Sequence, residues 1–500
     1  MKKNDIFEMT IEDIGADGEG IGHISIDDTD KKMTVFVKDT VICDVAKVKI
    51  IKLKKNYAYG RLEEIITPSP YRCECACDKA RSCGGCTLMH MTYEKQLEYK
   101  FNKVKNCLER IGGCEGVESI MEPIFGMENP YNYRNKMQFP VGLDKEGRVK
   151  IGFFAGRTHS IIDLDECKTG HPVNTFIISF MRKWINDNLA KHKNLVYNEE
   201  NHSGIIRHIV TRVGFATGEM SVCIVINKNN LDENLKQSLI ATLNGAVDAF
   251  NSESLVNQKI CLKNISLNIN QEDTNRILGD KCITIFGEDY ITDYIGDIAF
   301  KISPLSFYQV NPAQTKVLYD KAIEYAGLTG NEVVWDMYCG IGTISLCLAK
   351  NAQNVYGVEI VNEAIEDAKN NAILNSITNA KFYCGKAEEV VPEFYRSNNC
   401  DLADNSKASD EALAATTDRR GCHPDVIVVD PPRKGCDGIL LDTIRKMSPK
   451  RLVYVSCDPA TLARDIKLLS EDFELKKVAV VDQFCHSGHV ETACLLSRKS

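Results

Sequence analysis

From Ala299 onward, apolar runs of strand length alternate with helix-period segments, and this leaves the C-terminal part little choice but a parallel sheet covered by helices. Two of its strand ends carry chemistry. Val426 to Val429 ends in Asp430-Pro431-Pro432-Arg433, and Val453 to Ser456 ends in Cys457-Asp458-Pro459. Such sheets bind ligands at the C-terminal ends of their strands, so a carboxylate and a candidate nucleophilic thiol are delivered to one crevice. Position sets Cys457 apart among 21 cysteines, most of which are expected to be buried structural thiols.

A third strand end carries a glycine-rich turn. Val333 to Asp336 is followed by Met337-Tyr338-Cys339-Gly340-Ile341-Gly342-Thr343, and Glu359 closes the next strand-like run from Asn354. Glycines let a backbone approach a ligand closely, and a second-strand carboxylate at this spacing suits ribose hydroxyls. A dinucleotide enzyme would share these features. Its fingerprint has a third glycine where this chain has Ser345, and Asp336 beside the turn suits a cation better than a diphosphate.

Length suggests three domains, read as 1–62, 63–298 and 299–500. The first consists of short strands with glycine turns, the pattern of a small β-barrel. Its last stretch, Val45 to Arg61, interleaves Lys47, Lys49, Lys52, Lys54, Lys55 and Arg61 with Tyr57 and Tyr59, which suits single-stranded nucleic acid or else a solvated strand face. The second domain opens with five cysteines, Cys73, Cys75, Cys77, Cys83 and Cys86, and continues in a helix from Tyr93 to Ile111 with Leu97, Phe101, Val104 and Leu108 at helical spacing. Met220 to Ile226 reads as a strand. Residues 397 to 421 read as a mobile polar insertion without assigned function. The start of the chain lacks a secretory pattern, and no apolar run has the ~20 residues of a membrane span. A cytoplasmic protein with reduced thiols, some of them ligands, is expected. Four thiolates suit zinc or an iron–sulfur cluster equally. The net charge of −8 neither announces nor excludes RNA.

Six segments in order carry a resemblance: Ser306 to Asn311, Asp336 to Gly342, Val358-Glu359, Asp430 to Gly435, Val455 to Asp465, and Gly488 to Glu491. Together they resemble the RNA (uracil-5-)-methyltransferase family across essentially the whole chain. The resemblance implies a Rossmann-like, S-adenosylmethionine-dependent methyltransferase domain, an N-terminal oligonucleotide-binding-type barrel (TRAM) and a mixed α+β central domain. Gln309, Tyr338, Glu359 and Asp430 would hold S-adenosylmethionine, with Thr343 and Lys386 nearby. Cys457 would be the nucleophile that adds to uracil carbon 6, and Glu491 the general base that removes the carbon 5 proton. His486 and His489 compete for that role. The family usually has proline where this chain has Cys485. Arg464 and Asp465 would orient the loop. The target uridine would be extruded from an RNA loop.

The spacing of Cys77, Cys83 and Cys86 is similar to that of the family's ribosomal-RNA members, which implies a [4Fe–4S] cluster on these three and Cys167. With the barrel, it also implies 23S ribosomal RNA rather than transfer RNA as substrate, with no obligate protein partner. Arg134, Lys136 and Arg207 would meet phosphates or form surface ion pairs. An amino-group methyltransferase using the Asp-Pro-Pro segment, and a non-catalytic RNA-binding iron–sulfur protein, are the competing readings.

Overall fold

In the C-terminal part seven strands lie side by side in the order Ala380–Cys384, Asn354–Glu359, Val333–Asp336, Val426–Val429, Arg451–Ser456, Glu491–Arg498 and Phe473–Val481. The computed structural model describes residues 1–25, 32–156, 158–254, 258–397 and 423–499; the insertion read at 397–421 falls, beyond its first residue, outside them. The first five strands are parallel, Glu491–Arg498 runs against them, and the edge strand Phe473–Val481 pairs antiparallel with Glu491–Arg498 and so runs with the first five. Chain order runs outward on both sides of Val333–Asp336, so the crevice opens between it and Val426–Val429. Both strands are buried at every position.

The reversed strand has a functional consequence. Parallel strands end at the crevice, whereas an antiparallel one begins there. Glu491, first residue of its strand, therefore arrives beside Cys457, which follows the last residue of its own. Helix Pro459–Leu469 starts immediately after, capped by the Asp458 side chain, which accepts from the Ala460 and Thr461 amides. Helix Pro312–Ala326 is capped likewise by Asn311. Both place proline in the first turn, where a missing N–H costs nothing.

The central sheet also has seven strands, with Glu219–Ile226 and Ile206–Val213 in its middle. Helices Val173–Leu189 and Glu233–Glu253 contribute Ile177, Met181, Leu239 and Leu243 to its core. A hairpin, Ile291–Ile295 with Ile298–Ile302, packs instead into the C-terminal core.

The N-terminal six-stranded sheet buries Met9, Val35, Val37, Val48, Ile50 and Ala58 as one core. Gly60 permits this closeness, because a Cβ there would lie 2.2 Å from Val48. The basic stretch expected as one element is two strands, Val45–Leu53 and Tyr57–Thr67, because polar Lys54, Lys55 and Asn56 turn the chain. Lys47 pairs with Glu64 at 2.8 Å and Arg61 with Glu63 at 2.7 Å. Tyr57 and Tyr59 pack on Phe36 with ring centroids 5.8 and 5.9 Å away. Among the described residues no ion pair holds Lys49, Lys52, Lys54 or Lys55, the last three of them at or next to the turn.

Helix Tyr93–Arg110 matches its expected span, but its buried stripe is Gln96, Lys100, Val104 and Leu108, half of it polar. Between the N-terminal sheet and this helix, buried Asp44 accepts from the Val41 and Ser69 amides and from the Arg72 guanidinium. This carboxylate ties the sheet to the cysteine-rich segment. Asp44→Ala should therefore cost about 2–3 kcal/mol and lower the first thermal transition, measured by calorimetry, because four donors lose their acceptor together.

Candidate active site and thiol pocket

The glycine turn after Val333–Asp336 is shaped by two positive φ values, 53° at Gly340 and 83° at Gly342. Fully buried Asp336 accepts from the Ser345 hydroxyl at 2.6 Å, which explains a serine where a dinucleotide fingerprint has glycine. Glu359 accepts from the Gly340 amide at 3.2 Å and the Val361 amide at 3.0 Å, so the second-strand carboxylate is locked against the turn. The Tyr338 ring packs into the core layer that includes Cys436, leaving its backbone on the turn. Thr343 shares a hydrogen bond with the Tyr319 hydroxyl at 2.9 Å, and Lys386 pairs with Glu389.

Gln309 lies buried in a segment pinned by the central domain. The Asn135 side chain donates to the Gln309 carbonyl at 2.9 Å, and Arg212 donates to the Ser306 carbonyl at 2.8 Å. The Ser306 hydroxyl reaches Asp367 at 2.8 Å.

Three carboxyls share the crevice with one thiol. Burial raises Asp336 to about 6, opposed by the Ser345 hydroxyl and the Tyr338 amide and assisted by Glu359. Burial, with the Asp336 charge, raises Asp430 to about 7. Burial holds Glu491 well above the usual carboxylate range, Asp430 adding and Arg433 opposing. None of the three is in an ion pair among the described residues. Clustered carboxyls without a cation are a site that a positive ligand would stabilise. Strand pairing joins Ser456 to Thr492, so one residue further Cys457 faces Glu491. Burial raises the half-buried Cys457 thiol to about 11, Glu491 and Asp430 adding and Arg433 opposing.

The neighbouring residues are divided by their surroundings. Asp465 accepts from the Cys436 amide at 2.8 Å and the Tyr454 hydroxyl at 2.6 Å, and Arg464 reaches the Lys434 carbonyl at 3.0 Å, fixing the Asp-Pro-Pro loop to the helix after Cys457. His486 is buried, held neutral with its basicity pushed down to about 4, and stacked on Tyr131 at 4.8 Å. His489 is exposed against the edge of Phe484. Arg207, expected at phosphates or in an ion pair, does neither. It is buried, donates to the Asn270 and Glu272 carbonyls at 2.9 and 2.8 Å, and lies over the Tyr197 ring. Lys136 sits mostly buried near Arg212, its pKa lowered to about 8 by burial first and that charge second.

A set of residues without a sequence assignment holds the loop that leads to Glu491. Lys100 and Asp482, both with fully buried side chains, form an ion pair, and Tyr93 donates to Asp482 at 2.7 Å. Lys100 also donates to the Phe484 carbonyl at 2.9 Å, and Gln96 accepts from the His486 amide at 3.2 Å. Tyr93, Gln96 and Lys100 lie on one helix face. That spacing was visible in the sequence, but a polar stripe ordinarily reads as solvated surface. Cys485, at the departure from the family pattern, is buried with its thiol 3.7 Å from the Tyr93 hydroxyl.

Cys77, Cys83, Cys86 and Cys167 line one small pocket with Met89, Phe153 and Leu164. Cys73 and Cys75 are not part of it; their thiols approach the Met89 and Cys77 carbonyls at 3.6 and 3.2 Å. Burial raises the Cys77, Cys83 and Cys86 thiols, with Cys167 adding. Among the described residues no three His, Cys, Asp or Glu side chains converge closely enough to hold a single metal ion.

Residues 92–499 match the family described as tRNA (Uracil-5-)-methyltransferase. The chain belongs to this family. Residues 2–62 match the TRAM domain. A Clostridium tetani protein described as an uncharacterized RNA methyltransferase is 44% identical over 500 residues, covering 99% of this chain and 97% of its own. A Bacillus cereus protein of the same description is 44% identical over 499 residues, covering 100% and 98%. The crystal structure of the Pyrococcus abyssi tRNA (uracil-54, C5)-methyltransferase in complex with S-adenosyl-L-homocysteine is similar at 25% identity with a TM-score of 0.70, covering 98% of this chain and 100% of that one. The protein is an RNA methyltransferase with an N-terminal TRAM domain, and no helix among the described residues is long and apolar enough to cross a membrane.

For this RNA methyltransferase the raised Cys457 thiol gives a direct measurement. Since only the thiolate is nucleophilic, alkylation of Cys457 by iodoacetamide should rise about tenfold per pH unit between pH 7 and 9, read by peptide mass spectrometry. A plateau below pH 8 would contradict the assigned surroundings. Arg433→Met should slow the reaction at every pH.

Proposed function

We propose that the protein methylates carbon 5 of a uridine in RNA, using S-adenosylmethionine, with 23S ribosomal RNA as substrate. The observation that carries this reading is the face-to-face arrangement of Cys457 and Glu491 at the crevice, with Asp430 one strand away. Carbon 5 of uracil is too weak a nucleophile for direct methylation. Cys457 adds to carbon 6, and the resulting enolate carries its electron pair on carbon 5. Bound S-adenosylmethionine supplies the methyl group as a sulfonium. Gln309, the Tyr338 backbone, Glu359 and Asp430 would hold it; the unpaired carboxyls Asp336 and Asp430 fit its positive charge. Glu491 then takes the carbon 5 proton, and the pair left behind expels the Cys457 thiolate. Burial makes Glu491 a stronger base than an exposed carboxylate, whereas His486 is spent on stacking and on the loop.

Cys457→Ala should abolish methyl transfer, which an amino-group methyltransferase would retain. Glu491→Gln should accumulate a denaturation-resistant RNA–protein adduct, seen by gel electrophoresis, because addition proceeds and elimination fails. Loss of activity without any adduct would overturn the assignment of the base.

The substrate has a second reading. The Pyrococcus abyssi neighbour is described as a tRNA (uracil-54, C5)-methyltransferase and matches 98% of this chain, so the N-terminal domain does not by itself divide the substrates. Mapping 5-methyluridine in 23S ribosomal and transfer RNA from a deletion strain decides between them.

The four pocket thiols support a [4Fe–4S] cluster on Cys77, Cys83, Cys86 and Cys167. The donor set fits in its chemistry: four part-buried thiols line one pocket, and a cubane's four irons would each take one thiolate. Anaerobically purified protein should contain about four iron and four sulfide per chain, and Cys86→Ala should lose them. Stoichiometric zinc would overturn the cluster.

A further inference from the structure

The face of helix Tyr93–Arg110 that grips the catalytic loop does not stop at Lys100. One turn on, Lys103 sends its ammonium to two backbone carbonyls, Gly488 at 2.7 Å and Ala16 at 2.9 Å. Gly488 stands three residues before Glu491, and Ala16 lies in the Gly15 to Glu19 turn of the TRAM domain. We propose that Lys103 is a positioning residue that clamps the Glu491 loop to this turn, making the TRAM domain a structural wall of the active site as well as an RNA-binding module. The proposal rests on Glu491 being the base.

Lys103 forms no ion pair among the described residues, so its ammonium is committed to the carbonyls. Burial depresses its pKa, with Cys107, Asp458 and Asp17 opposing; Asp458 caps the helix after Cys457, so this one cation lies beside both reactive loops. The clamped parts are in contact on their own account. A Cβ on Gly488 would come within 3.2 Å of the Ala16 carbonyl oxygen and 3.4 Å of the Asp17 carbonyl carbon. Tyr99 donates to the Gly15 carbonyl at 2.8 Å, fixing the turn from the same helix. On the turn's other side Gly18, at φ +87°, leaves no room for a Cβ against Thr87 and Leu88, both 2.9 Å away. The Leu88 amide in turn donates to the His486 carbonyl at 2.9 Å. The turn, the cysteine segment and the catalytic loop therefore interlock, and among the described residues Lys103 is the one side chain that bonds both the turn and the loop. A general base displaced by an ångström loses activity steeply.

The test uses the full-length protein, unmodified ribosomal RNA and labelled S-adenosylmethionine. Lys103→Met keeps the aliphatic stem and removes the donor. It should lower kcat about tenfold or more with KM for S-adenosylmethionine unchanged, and Lys103→Arg, which keeps donors, should recover most of it. Elimination should slow, so the covalent adduct should accumulate, and hydrogen exchange should quicken in residues 15–19 and 484–489 and not in the central sheet. If Lys103→Met does not fold, Lys103→Gln takes its place with the same readouts. Faster exchange in both segments with no adduct would retain the clamp and overturn the reading of Glu491. Unchanged exchange, kcat within about twofold of the parent, or a rise in KM for RNA alone would overturn the clamp, the last marking Lys103 as a phosphate contact.

Discussion

The buried ion pair between Lys100 and Asp482 is the interaction on which the catalytic end of the molecule depends. Two fully desolvated charges are expensive, and this pair is tolerated because further polar groups complete it: Tyr93 on the carboxylate, the Phe484 carbonyl on the ammonium. The arrangement gives direction more than stability. Asp482 follows the last residue of strand Phe473–Val481 and Glu491 opens the returning strand, so fixing the near end of the connecting loop limits where its far end can lie. The helix supplying the lysine lies outside the C-terminal sheet. The candidate site is thus finished by a part of the chain that forms none of the strands around it.

A second constraint is the accumulation of acid. Burial raises the proton affinity of Asp336, Asp430 and Glu491, Asp336 adding to Asp430 and Asp430 to Glu491, and the one cation that opposes this acts on Glu491 from Arg433. A structure built only for stability would pair these groups. Leaving them unpaired makes the crevice receptive to a cation and keeps a carboxyl protonatable near neutral pH, two properties that methyl transfer from a sulfonium followed by proton removal requires.

Much of this was legible in the sequence, for identifiable reasons. Strand ends with Asp430 and Cys457, the glycine turn and Glu359 are local patterns in a parallel sheet, where topology converts sequence position into spatial position. Cys167 is remote in sequence from Cys77, Cys83 and Cys86, and among 21 cysteines only the resemblance to the family's spacing implied the set of four that lines the pocket. What could not be read is long-range partnership of ordinary polar residues. Gln96 and Lys100 look like any solvated helix face until Asp482 and His486 are brought to them, and Arg207 looks like a surface cation until Tyr197 and two carbonyls enclose it. The turn at Lys54 to Asn56 that divides the basic stretch is hidden for the converse reason: within a run of lysines no hydrophobic break marks it.

The reversed last strand bears on how the protein comes into being. Residues near position 16 back the loop, the helix beginning at Tyr93 grips it, and the strand that opens with Glu491 closes the sheet. The residues of the N-terminal and central sheets precede this strand in the chain, so during synthesis the crevice lacks that wall until the strand has been made. The residues that match the TRAM domain are therefore made long before the strand that completes the candidate site.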